Sequence, residues 1–302
     1  MNSSRHIPLT GVLVLVLLCL LWGGNMVSIK VSNQGIPPIL AATIRSVVAS
    51  FLLWLYARAC TERVFLPWQH LGHGLTIGFL FGAEFLLLYW GIAYTDASRA
   101  IIFLYTHPLW VALGAHFLLS HERLNWIKSV GLCLAFAGLI SVFASRSTSL
   151  GPLHYIGDLM ELGAGVLWAA STLYIKRFIS ERPITHFQTL FTQLFFSIPI
   201  LAAGTLLLEG GKTVILGPLV VSAIVYQTVV VAFFSYLVWF WMIHRHPVSR
   251  LAAFTFLAPL FGVILSGILL KEHLTFQLWV GFVLVSVGIF LVNRPEPQSS
   301  DR

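Results

Sequence analysis

Residues 21–30 read LWGGNMVSIK, and residues 167–176 read LWAASTLYIK. The same Leu-Trp step, followed at equal spacing by Ile-Lys, thus occurs twice, half a chain apart. A second echo lies downstream of each copy. Ser98-Arg99 with Phe103, Pro108 and Leu109 returns as Ser249-Arg250 with Phe254, Pro259 and Leu260. Glu122, Leu124, Gly131 and Gly138 then answer to Glu272, Leu274, Gly281 and Gly288, one residue out of step before the glutamate. The chain is an internal duplication.

Each copy holds five apolar runs of the roughly 20 residues that cross a bilayer at 1.5 Å rise per residue. The first five are Leu9–Lys30, Pro38–Ala59, Leu71–Tyr94, Ser98–Leu119 and Trp126–Ala144. The second five are Gly157–Phe178, Thr185–Leu208, Leu219–Ile243, Val248–Leu270 and Phe276–Val292. Five is odd, so the second copy enters the membrane upside down relative to the first. The expected fold is an all-α membrane protein of ten transmembrane helices in two inverted five-helix repeats, residues 9–145 and 157–293. Inverted repeats place a binding site near the midplane between halves and let one architecture open to either side in turn.

Composition agrees. Of 302 residues, 58% are hydrophobic and 10% charged, and the mean hydropathy is +0.87. A soluble domain carries roughly a quarter charged residues, so the lipid bilayer is the solvent for most of this surface. The formal charge of +7 is spread thinly between apolar runs, which fits lipid headgroups and orientation rather than nucleic acid. With the N-terminus inside, the larger share of the 18 lysines and arginines falls on cytoplasmic segments, among them Arg58, Arg63, Arg123, Lys128, Lys176 and Arg245. Lys30, Arg99, Arg146, Lys212 and Lys271 fall on the other side. Both termini are therefore expected in the cytoplasm, as an even number of spans requires. The first apolar run continues past Trp22 with no small-x-small cleavage pattern, so it reads as a retained span. Cys19, Cys60 and Cys133 show no metal-ligand spacing and read as small packing residues. No cofactor is implied, and no GxxxxGK[ST] stretch for ATP is present.

The residues resemble the drug/metabolite transporter superfamily, specifically its EamA-type ten-helix members. The resemblance is carried by Trp22-Gly23-Gly24-Asn25 with Lys30, by Pro38 and Arg45, and by Tyr89-Trp90-Gly91-Ile92-Ala93-Tyr94 into Ala97-Ser98. Pro108, Glu122-Arg123-Leu124, Gly131 and Gly138 complete the first copy, and Trp168, Lys176, Ser249, Pro259, Glu272, Gly281 and Gly288 remain in the second. The second copy departs from the pattern at Ala169, where a glycine follows the tryptophan in the first, and has no intramembrane arginine in its second span. The resemblance runs from about Leu9 to Val292. It implies a secondary carrier, often an exporter of amino acids, metabolites or toxic compounds, and it favours a bacterial inner membrane.

Several polar residues inside spans are candidates for the chemistry. Glu84 stands near the middle of span 3 among apolar neighbours, where an ionised acid is costly and must face a cavity or a partner. It is a candidate for binding substrate or for carrying a coupling proton; the alternative is a structural pair with Arg45. Arg45 lies about 10 Å below the outer end of span 2 at 1.5 Å per residue. It reads as a structural polar residue, with bidentate binding of an anionic group as the alternative. His107, before Pro108, is a second proton-coupling candidate, with a hydrogen-bonded bundle histidine as the bland alternative. Trp22 and Asn25 share a face of span 1, and Trp168 and Ser171 repeat them on span 6. The two faces are candidate walls of a substrate pocket, with interface anchoring as the alternative for the tryptophans. Ser235, the counterpart of Glu84, joins them, and Gln227 is expected on roughly its face of span 8. Glu161 reads as a solvated residue near the outer end of span 6. Gly74, Gly78 and Gly82 form a small-residue row for close helix packing, while Pro108 and Pro259 bend their spans.

The function read from this pattern is secondary transport of a small organic metabolite, such as an amino acid or related compound, in the outward direction, with protons as the candidate coupling ion. The alternative from another class is a membrane-embedded enzyme acting on a lipid or isoprenoid substrate. That alternative calls for clustered acids, histidines or a nucleophile–base pair, whereas the polar residues here stand singly. The motifs do not encode the oligomeric state.

Overall fold

A computed structural model describes residues 7–92, 94–95, 97–120, 122–144, 152–270 and 275–294. These form ten helical spans: α1 Leu9–Ser32, α2 Pro38–Ala59, α3 Leu71–Gly91, α4 in two segments Ala97–Leu104 and His107–Leu118, and α5 Trp126–Phe143. The second five are α6 His154–Tyr174 running into a π-turn Ile175–Ile179, α7 His186–Leu208, α8 Pro218–Arg245, α9 in two segments Val248–Phe254 and Leu257–Leu270, and α10 Phe276–Asn293. No strand occurs among the described residues. Nine of the ten are long and apolar enough to cross a membrane by composition alone; α6, which carries Asp158 and Glu161, is the tenth.

The apolar runs set the helices, and the helix ends follow local chemistry. Pro38 and Pro218 stand in the first turns of α2 and α8, where a missing N–H costs nothing. Thr185 and Gln188 form a capping box at the start of α7. Pro108 and Pro259 do more than bend their spans. Each helix stops just before its proline, at Tyr105–Thr106 and at Thr255–Phe256, because the ring removes one hydrogen bond and clashes with the carbonyl four residues back. Thr106 and Thr255 hydroxyls close the breaks on the carbonyls of Phe103 and Ala252, both at 2.7 Å.

Packing follows the duplication. α1 lies on α9 as α6 lies on α4, α3 packs on α6 as α8 packs on α1, and α5 pairs with α10. Each contact maps onto itself or onto another when the two halves are exchanged. The α5–α10 pair shows this at atomic scale. A Cβ on Gly131 would sit 2.7 Å from the Gly288 carbonyl oxygen, and one on Gly138 would sit 2.8 Å from that of Gly281. Repeat-equivalent glycines thus meet crosswise, as a two-fold relation between the helices requires. Gly74, Gly78 and Gly82 bring α3 against Thr192, Phe196 and Ile200 of α7.

Two buried carboxylates tie the halves at the helix ends. Glu122, after α4, accepts from the N–H of Val248 at 3.0 Å, the N–H of Ser249 at 2.9 Å and the Ser249 hydroxyl at 2.8 Å, capping α9. Glu209, after α7, accepts from the N–H groups of Ile39 and Leu40 at 3.1 and 2.9 Å, capping α2. Negative charge at a helix N-terminus meets both the orphan N–H groups and the positive end of the dipole. Glu272, the repeat counterpart of Glu122, lies outside the described residues with Lys271 and Leu274, as does 145–151 of the connector between halves. Cys19 packs in the core, whereas Cys60 and Cys133 are exposed, so only the first acts as a buried packing residue.

Candidate functional site

A cavity with about 940 Å³ of unfilled space, its mouth included, lies between the halves. α1, α2, α3 and α4 of the first half and α6, α7 and α8 of the second contribute its walls. Met26, Ile29, Phe85 and Leu88 at one end are half-buried, while Ile175, Phe240 and Ile243 at the other are buried. The cavity therefore opens where α1 and α3 finish and is shut where α6 and α8 finish. Lys176 helps shut it, donating to the carbonyls of Ile243 and His246 at the end of α8, at 3.0 and 2.9 Å. His73 Nδ1 and the Tyr174 hydroxyl, 2.8 Å apart, join α3 to α6 at the same end.

Of the residues singled out from sequence, Trp22, Asn25, Glu84, Trp168 and Ser171 line this cavity. Trp22 is held from behind: its indole N–H donates to the Ser235 hydroxyl at 2.9 Å, and Tyr236 and Trp239 meet its rings edge-on. Ser235 is fully buried and acts through Trp22 rather than from the wall. Trp168 stacks on His107, ring centroids 3.8 Å apart, and meets Tyr105 edge-on. His107 is 0% exposed, and neither ring nitrogen has a hydrogen-bond partner among the described residues. It backs Trp168 and is not among the residues that line the cavity. The Ser171 hydroxyl stands 3.5 Å from Gln193 Oε1, and the Asn25 side-chain carbonyl oxygen is buried without a partner among the described residues.

Arg45 and Glu84 give the cavity its charge. Arg45 is 2% exposed; its Nη2 donates to the Tyr236 hydroxyl across the halves, and its guanidinium lies 5.0 Å from the Phe85 ring centre and 5.1 Å from that of Tyr236. Glu84 is 6% exposed and has no hydrogen-bond partner among the described residues. The two charges line one cavity and form no ion pair with each other among the described residues. The direct Glu84–Arg45 pair considered from sequence does not form there.

Gln227 and Ser235 both face α1: the Gln227 amide donates to the Ser28 carbonyl at 3.2 Å and to the Ser32 hydroxyl at 2.8 Å, as Ser235 accepts from Trp22, across a stretch Tyr226–Ser235 that is π-helical. One further sequence expectation differs from the structure. Glu161 is not solvated. It is 1% exposed, and both its oxygens lack a partner among the described residues, because the end of α3 covers it at a depth where the length of α6 alone suggested water. The aromatic and polar partners Tyr89, Tyr105, Tyr236, Trp239 and Gln193 went unpredicted, since aromatic residues on apolar helices give no sequence signal of which side they face.

The sequence matches a known family of transporters. The EamA-like transporter family covers residues 9–144 and 155–294. The chain is 28% identical over 290 residues to a protein of Escherichia coli named "Probable amino-acid metabolite efflux pump", covering 93% of each chain. It is 29% identical over 286 residues to a Salmonella typhimurium protein of the same name, covering 91% of this chain and 92% of that one. With the uncharacterized transporter YoaV of Bacillus subtilis it shares 23% identity over 273 residues, 90% of this chain and 92% of the other. A solved crystal structure superimposes with a TM-score of 0.78 at 19% identity, over 92% of this chain and 94% of that one, a likeness of fold. With a family match over both halves, the chain belongs to the EamA-like transporter family.

Proposed function

We propose that this transporter is a secondary carrier exporting zwitterionic metabolites of the amino-acid class with an apolar side chain. The observation that carries this reading is the pair Arg45 and Glu84, which share one aromatic cavity and leave each other unpaired. A guanidinium presents parallel donors to a carboxylate, and an unpartnered carboxylate accepts from an ammonium group. A molecule bearing both charges satisfies both residues at once, whereas a singly charged one leaves the other charge desolvated and unmatched. The rings of Trp22, Phe81, Phe85, Trp168 and Trp239 supply the apolar wall that such pockets use for the remainder of a ligand.

Export fits the names of the Escherichia coli and Salmonella relatives. In this reading the membrane is the bacterial inner membrane with both termini cytoplasmic, so the cavity faces outward and Lys176 closes the cytoplasmic side. Alternating access follows from exchanging the roles of the two halves. The test is transport of radiolabelled L-phenylalanine by the purified protein in proteoliposomes. Saturable movement that excess unlabelled zwitterionic amino acids compete away, and that 3-phenylpropanoate does not, is the expected result. No movement of any apolar amino acid would reject the substrate class.

A further inference from the structure

We propose that Glu161 is a proton-binding site, separate from the substrate cavity and sealed into the α3–α6 junction between the two halves. Two observations on geometry support it. The first is complete enclosure: Glu161 is 1% exposed, and both carboxyl oxygens are buried without a hydrogen-bond donor among the described residues. The second is how it is sealed. A Cβ on Gly91, the last residue of α3, would fall 3.1 Å from Glu161 Oε1, 3.0 Å from Met160 Cβ and 3.3 Å from the Gly157 carbonyl oxygen. A Cβ on Gly157 would fall 2.7 Å from the Gly91 carbonyl oxygen. Backbone therefore meets backbone at this level, and no room is left for hydrating water.

The surrounding charges give an ionised Glu161 nothing to pair with. On its own helix Asp158 lies one turn earlier. Its carboxylate is already occupied, accepting from the Thr95 hydroxyl at 2.7 Å, from Arg99 Nε at 3.1 Å and from Arg99 Nη2. α4 contributes Arg99, which is committed to Asp158, and His154 at the start of α6 acts on Asp158 as well. Among the described residues α3 meets α6 here through uncharged residues, Gly91 and Leu87, and its own acid, Glu84, is two turns deeper and faces the cavity. Asp96, in the connection from α3 to α4, lies outside the described residues. A carboxylate without water, cation or donor, beside a second acid, is not a stable buried species. A carboxylic acid is, and it needs only a bound proton. Glu84 does not meet this description, because its oxygens face the open cavity.

Infrared spectroscopy on the full-length protein in lipid nanodiscs tests the site without knowledge of the substrate. The E84Q background removes the cavity acid, and glutamate is supplied labelled with carbon-13. Glu122 and Glu209 accept backbone N–H bonds as carboxylates. At neutral pH a protonated-carboxyl stretch that shifts with labelled glutamate, and not with labelled aspartate, is expected; adding E161Q should abolish it. Gln is nearly isosteric with the neutral acid, so that variant should fold. If it does not, the label-sensitive band in E84Q alone decides. Absence of a glutamate-sensitive band at neutral pH, or its survival in E161Q, overturns the proposal.

Discussion

The Trp22 indole N–H donates a 2.9 Å hydrogen bond to the Ser235 hydroxyl, joining α1 of the first half to α8 of the second behind the wall of the cavity. Ser235 in turn donates to the Val231 carbonyl at 2.7 Å. In Ser235→Ala the indole N–H loses its acceptor in a buried setting, at a cost of about 1–3 kcal/mol. A lower unfolding midpoint in detergent is expected, together with weaker binding of L-phenylalanine as Trp22 loses its fixed orientation. Unchanged stability and unchanged affinity would show that packing against Tyr236 and Trp239 suffices to hold the ring.

The crosswise glycines of α5 and α10 leave no space for a side chain. Gly288→Val places a branched side chain where a Cβ already falls 2.4 Å from the Gly131 carbonyl oxygen. Overpacking of this kind costs about 1–3 kcal/mol, read as a lower thermal midpoint. Because this pair stands apart from the cavity, the affinity of the fraction that folds should stay at the wild-type value.

Glu122→Gln keeps the shape of the cap on α9 and removes its charge. Charge-assisted bonds to N–H groups are roughly twice as strong as neutral ones, so about 1–2 kcal/mol of stability should be lost. The same change at Glu209 should have a similar effect at α2, and the double variant should add the two losses, since the caps lie at different helix ends. Thermal unfolding of the single and double variants measures this.

Orientation is tested at Lys212, between α7 and α8, whose side chain is 56% exposed. A cysteine placed there should react with a membrane-impermeant maleimide on intact cells. Reaction only after permeabilisation would invert the bundle, and with it the side on which the cavity opens.

What the sequence made legible follows from which signals survive folding. The ten spans could be read because lipid demands long apolar runs, and the duplication could be read because Trp22 and Trp168, Pro108 and Pro259, and the paired glycines keep their spacing. Trp22, Asn25, Glu84, Trp168 and Ser171 were placed on one cavity from helical periodicity and mid-span polarity. Gln227 and Ser235 both turn toward α1, even though the stretch of α8 between them is π-helical. Depth along a span does not reveal lateral cover, so the sequence reads Glu161 as solvated although Gly91 and Gly157 close over it. Arg45 reads as a structural residue, and its bond to Tyr236 joins the halves, but that it also lines the cavity is not legible, because a span shows how deep a charge lies and not which way it points. Ser235 and His107 sit one layer behind the wall, a distinction made only by the packing of a neighbouring helix.

The central claim is that Arg45 and Glu84 together recognise a zwitterion. Isothermal titration of the purified protein with L-phenylalanine, L-phenylalaninamide and 3-phenylpropanoate tests it most directly, since the second ligand lacks the carboxylate and the third lacks the ammonium group. Wild type should bind L-phenylalanine at least about tenfold more tightly than either, a difference of ~1.4 kcal/mol. Arg45→Gln should erase the preference over the amide, and Glu84→Gln the preference over 3-phenylpropanoate. Equal affinity of wild type for all three ligands, no binding of any, or preferences that survive both substitutions would contradict it.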